Sequence, residues 1–222
     1  MEVLLYLLFG FFDIFTILTF TFCMFRFPAK DYVKEFVIIA IVASAVSCVN
    51  RLVLDISMFD PGLQFIVLSL FFRYMLSFRL YEATLVTAVG YLGYTGVQFV
   101  LIPLLFFMGI TELSDMTGLH EMGTYLIQTA SDLAILLISW TVRRLGFGFS
   151  FVPQPPHSFT IKQRSNKLKK RISIAVSFGV FFILIVIYLL ALAEQKTVYL
   201  LLLAFLPLSI LLWLLRKRDK YD

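Results

Sequence analysis

The sequence predicts an all-α fold: a polytopic transmembrane helical bundle of about seven spans, N-terminus outside and C-terminus inside. Three observations predict it. Of the 222 residues, 60% are hydrophobic and only 15% charged, whereas soluble domains carry about 25% charged residues. The apolar residues come in long runs without a periodic stripe, and a run of about 18 or more reads as a bilayer span. Their density sets the mean hydropathy at +0.92. The basic residues, finally, fall almost wholly on one side of the map that those runs define.

The first span runs from about Val3 to Phe25 and contains Asp13. Phe27-Pro28 ends it, because a residue before proline is pushed out of the helical region. No basic n-region and no small-residue cleavage site precede it, so it reads as a retained span. The second, about Phe36 to Leu54, carries the small-residue pairs Ala40/Ser44 and Ala43/Ser47, which permit close helix approach. Asp60-Pro61 then reads as an N-cap followed by proline at the first helical position. The third span runs on to about Phe78 and is interrupted by Arg73, which leaves a full span and a re-entrant segment as alternatives. The fourth, about Ala83 to Met108, holds Gly90, Gly93 and Gly96, then Gln98 and Pro103. With no strand–turn–helix context, these glycines read as packing or flexibility and not as a nucleotide loop.

An acidic loop, Gly109–Met122, leads to the fifth span, Gly123 to about Val142, which bears Gln128 and Asp132 and closes on Arg143-Arg144. A proline-containing linker, Phe147 to Thr160, precedes the densest basic run: Lys162, Arg164, Lys167, Lys169, Lys170 and Arg171. The sixth span, Ile172–Ala193, is uncharged; a turn, Glu194–Thr197, leads to the seventh, which ends at Leu215 before a basic tail. The resulting division is a five-span membrane bundle over 1–146, a basic cytoplasmic linker over 147–171 and a two-span hairpin with its tail over 172–222.

Basic residues stay cytoplasmic. With the tail and the Lys162–Arg171 run inside, the inner side collects Arg26, Lys30, Lys34, Arg73, Arg79, Arg143 and Arg144, six residues of the linker and four of the tail. Only Arg51 and Lys196 of the 19 basic residues remain outside. Trp140 and Trp213 both land near inner span ends, where aromatic anchors sit. This clustering at span ends accounts for the net charge of +5 without a nucleic-acid groove. Beyond anchoring topology, the Lys162–Arg171 run suits contact with anionic lipid, at about 1 kcal/mol per basic residue.

Charges inside a bilayer cost about 2.5–3.5 kcal/mol each, which singles out Asp13 and Asp132. Both sit about ten residues into spans that run inward, about 15 Å deep. Arg73, about 18 Å deep on its own inward span, either pairs with one of them or snorkels to the inner headgroups. Gln128 and Asp132 share a helix face at i,i+4, and Gln98 could complete their polar stripe from the fourth span. Such a stripe must face protein or a cavity. It serves either as interhelical glue or as a ligand, proton or switch site. Arg51 and Asp55, also i,i+4, read as an ion pair at the outer interface.

The other chemistry-bearing residues are scattered. Cys23 and Cys48 lie at different depths, and His120 and His157 on opposite sides, so neither a disulfide nor a metal site is expected. The aspartate flanks, Phe12-Asp13 and Ser131-Asp132, lack the Gly-x-Gly-Asp pattern of intramembrane proteases. No Gly-x-Ser-x-Gly element is present. The chain is expected not to be an enzyme and to need no cofactor.

Three segments carry a resemblance: Phe25-Arg26-Phe27-Pro28, Gly90-Tyr91-Leu92-Gly93-Tyr94 and Arg143-Arg144-Leu145-Gly146-Phe147-Gly148-Phe149. With their layout, residues 1–160 resemble the membrane-embedded sensor region of Gram-positive histidine kinases of the peptide-pheromone-receptor type. They also resemble kinase-less stand-alone membrane proteins of spore-forming Gram-positives. The resemblance implies detection of an extracellular peptide or small ligand. It also implies output through a signalling partner, a histidine kinase or regulator, because two more spans follow Arg171 in place of a phosphoacceptor helix and an ATP-binding domain. The expected function is a sensory or regulatory accessory module. The alternatives are a small transporter or transporter subunit using Asp13 and Asp132, and a structural assembly factor.

Overall fold

The computed structural model describes residues 2–54, 56–111, 122–157, 167–191 and 205–219. Over them the chain forms seven α-helices and, among the described residues, no strand. These are α1 (Glu2–Met24), α2 (Val33–Cys48), α3 (Asp60–Tyr74), α4 (Leu80–Phe107), α5 (Met122–Arg144), α6 (Lys167–Ala191) and α7 (Phe205–Asp219). Four stretches are long and apolar enough to cross a membrane: Val3–Met24, Ala29–Val53, Leu80–Phe107 and Gly123–Arg144. The third expected span is shorter than the sequence suggests. α3 has 15 residues, about 22 Å of helix against a hydrocarbon core of about 30 Å.

Side-chain contacts set the helix directions. α2 returns along α1, with Tyr6 against Ser47 at one end and Phe22 against Phe36 toward the other. α3 runs back along α2, its Gln64 donating to the Ala43 carbonyl at 2.8 Å. α5 runs parallel to α1: the Phe9 and Tyr125 rings are 4.5 Å apart, and Arg26 beyond α1 donates to Gly146 O beyond α5. α4 crosses α1 in the opposite sense. α6 and α7 pack on each other and on α4, with Gly179 beside Leu92 and Pro207 and Gly62 beside Leu184.

The glycines of α4 explain its close approach to α1. A Cβ at Gly90 would run into Thr21, and one at Gly93 into Phe20. Of the two readings of this segment, packing is the one seen: α4 is a single helix through all three glycines and through Pro103. Around this contact the core is largely aromatic, with Phe22, Phe25, Phe36, Phe72 and Phe78 fully buried. Large apolar side chains on the outer faces stay exposed, among them Ile38 and Ile41 of α2 and Leu133, Leu137 and Trp140 of α5. A water-soluble monomer rarely presents so much contiguous apolar surface; such faces are compatible with a membrane protein.

The two ends of the bundle differ. One gathers the α2–α3 connection around Asp60. The other gathers the α3–α4 turn, the end of α1 and residues 147–157. The described part of the expected linker is packed there: Phe149 N–H donates to Met24 O at 2.7 Å, and Val152 and His157 are buried. Gly148, at φ +125°, permits the crossing, since a Cβ there would lie 2.7 Å from Met24 O.

Candidate functional site: a carboxyl node at mid-bundle

α1, α4 and α5 meet at one polar point. Phe9 on Tyr125 sets the register of α1 and α5, and one turn further on each helix come Asp13 and Gln128. The glycine contacts bring α4 close enough for Tyr94 to reach across. Tyr94 Oη donates to Asp13 Oδ1 at 2.7 Å and Gln128 Nε2 donates to Asp13 Oδ2 at 2.9 Å. Asp132, one turn beyond Gln128, faces the same point, with Asp13, Tyr94 and Thr16 as neighbours. It is only 8% exposed, and its Oδ1 has no hydrogen-bond partner. Each carboxyl lies about 15–17 Å from the start of its helix, near the middle of a span.

Thus Asp13, Gln128 and Asp132 come together as the sequence suggests. Arg73 does not join them. α3 is short, so Arg73 falls in its last turn and donates from Nη1 to Phe78 O at 2.9 Å, bracing the α3–α4 turn. Gln98, one turn beyond Tyr94, is partly exposed and makes no hydrogen bond in this network. The group that completes the node from α4 is Tyr94. A signal for it was present: a tyrosine hydroxyl at mid-span must find a partner, and Gly90 one turn before it marks the face that approaches a neighbour.

A second polar cluster closes the Asp60 end. Arg51 pairs with Asp60, Nε to Oδ2 at 2.7 Å. The expected partner of Arg51, Asp55, lies outside the described residues. Residues Val49–Val53 form a π-helical turn after α2. Asp60 differs from its expected role. It is the first residue of α3, with Phe59 as N-cap, and its carboxylate serves the end of α2. Ser47 Oγ donates to Oδ2 at 2.7 Å and Asn50 Nδ2 to Oδ1 at 3.1 Å, and Tyr6 bonds Ser47 at 2.8 Å. Asp60 is 1% exposed.

At the opposite end, Lys162 and Arg164 lie outside the described residues. The rest of that basic run opens α6, where Lys170 and Arg171 are exposed. Arg144 lies 5.0 Å from the Trp140 ring centroid and Lys217 5.5 Å from that of Trp213, so both expected aromatic anchors carry a basic residue one turn on. Among the described residues no group of acidic, His and Cys side chains could hold a metal ion, and both cysteines are free. Compared with known proteins, the chain matches no family profile, no curated protein and no solved structure.

Proposed function

We propose that this protein is a multi-pass sensory or regulatory module of a Gram-positive cell membrane, acting through a partner protein. Its switch is the Asp13–Tyr94–Gln128–Asp132 node. The observation that carries the reading is that one carboxyl, Asp13, ties three helices together through groups on α4 and α5. Any change in the proton or ligand at this point changes the relative energies of helix arrangements, which is the requirement for a ligand-biased switch. A structural cross-brace needs no second carboxyl; Asp132 adds one, with an oxygen left unpaired. In this reading the chain has seven spans, with the Asp60 end outside facing a peptide or small ligand. The basic end lies inside, against anionic lipid and a histidine kinase or regulator.

Cross-linking in native membranes followed by purification in mild detergent tests the proposal. A kinase or regulator should be captured with the wild-type chain, in an amount that changes with Asp132→Asn. Recovery of the chain alone, wild type and variant alike, would sink it. Two neighbouring carboxyls at mid-bundle, Asp13 and Asp132, favour one second reading, a proton-coupled carrier. Proton-driven uptake by proteoliposomes that is lost in Asp13→Asn and Asp132→Asn would select the carrier instead.

A further inference from the structure

Residues 149–157 lie across the His157 end of the bundle and are held at separate points. Phe149 N–H bonds Met24 O, Tyr32 Oη donates to Pro155 O at 3.0 Å, and His157 N–H donates to Ser77 O at 2.9 Å. The last fastening is unusual. The backbone N–H of Arg79 donates to His157 Nδ1 at 3.2 Å, while His157 Nε2 lies 2.8 Å from Pro153 O and its ring packs edge-on to Phe78. This pattern sets the hydrogen on Nε2 and leaves Nδ1 as acceptor.

Arg79 is the N-cap of α4, in extended conformation at φ −67° and ψ 152°. Glu82 is therefore at N3, the position from which a glutamate ordinarily reaches back to the N-cap amide in a capping box. Here it does not. Glu82 is 2% exposed, and both of its carboxyl oxygens are buried without a hydrogen-bond partner. A histidine from 78 residues along the chain has taken the amide that belongs locally to Glu82.

We infer that the Arg79 amide is a latch with two alternative acceptors, and that residues 149–157 form a releasable strap over this end of the bundle. With the strap down, His157 holds the amide and Glu82 is stranded. With the strap lifted, Glu82 closes the capping box and the α4 terminus stays intact. The stranded carboxyl raises the energy of the latched state, and the local cap lowers that of the open one, so the two lie close enough for a partner to shift the balance. The purpose assigned to the strap, exposing this end to a partner, rests on the regulatory reading above; the latch itself does not.

Amide hydrogen exchange on the full-length protein in nanodiscs tests the latch without any partner. In His157→Ala, peptides covering 149–157 should lose protection by about tenfold or more, the equivalent of one net hydrogen bond. The Arg79 amide should stay protected because Glu82 takes it. In the double variant His157→Ala/Glu82→Ala the Arg79 amide should lose protection as well, and Glu82→Ala alone should leave both segments protected. Unchanged protection of the α4 interior, 92–99, reports in the same spectra that each variant is folded. The inference is overturned if the strap stays protected in His157→Ala, or if Arg79 loses as much protection in that variant as in the double one.

Discussion

Asp13 accepts one hydrogen bond through each of its two carboxyl oxygens, whereas asparagine has a single oxygen to offer. Asp13→Asn therefore leaves either Tyr94 or Gln128 with an unsatisfied buried donor, at a cost of about 1–3 kcal/mol. The detergent-solubilised variant should melt earlier than wild type. Asp132→Asn should be much milder, because Asp132 Oδ1 has no hydrogen-bond partner to lose. Equal destabilisation by the two substitutions would contradict this geometry. At the other cluster, Asp60→Ala strips the acceptor from Ser47, Asn50 and Arg51 at once. The Arg51 side chain remains 35% exposed, so water moderates the loss to about 2–3 kcal/mol. Thermal unfolding should rank Asp60→Ala below Asp60→Asn, which keeps one oxygen.

Between elements, the decisive contact is α4 against α1. Gly90 faces Thr21 with no room for a Cβ, and Gly93 faces Phe20 in the same way. Gly90→Ala should destabilise the protein by about 1–3 kcal/mol through overpacking. It should also pull Tyr94 away from Asp13, since both contacts lie on the same stretch of helix. Combining it with Thr21→Ala removes the obstructing hydroxyl and should recover much of the loss. A double-mutant cycle in thermal stability measures that coupling, and strict additivity would show that the two helices do not meet as described. α3 teaches the complementary lesson. Its 15 residues put Arg73 in the last turn, beyond the carboxyl node, and the residue serves the α3–α4 turn instead. Apolar residues flanking Arg73 extend the hydrophobic run through Phe78, but the helix stops at Tyr74, and Ser77, at φ +57°, turns the chain. A hydropathy run does not register such a break.

For the whole molecule, the alternating helix directions predict that Met108 and Leu145 face opposite sides of the membrane; both are exposed. With the native cysteines replaced, Met108→Cys should react with an impermeant maleimide in intact cells. Leu145→Cys should react only after permeabilisation. Labelling of both positions in intact cells would refute the proposed orientation. The sequence by itself determined the helical class, the apolar runs and the two aspartates at matching depth. These follow from local composition and from the cost of a charge in hydrocarbon. Asp13, Gln128 and Asp132 were legible for that reason. Only the tertiary structure decided the partners. Tyr94 completes the node because glycines let α4 close on α1, and Arg51 takes Asp60 because a π-turn re-aims the end of α2. His157 caps α4 in place of Glu82 because residues 149–157 fold back over the bundle. Each of these choices depends on which faces of distant segments meet, and spacing along a single helix carries no record of that.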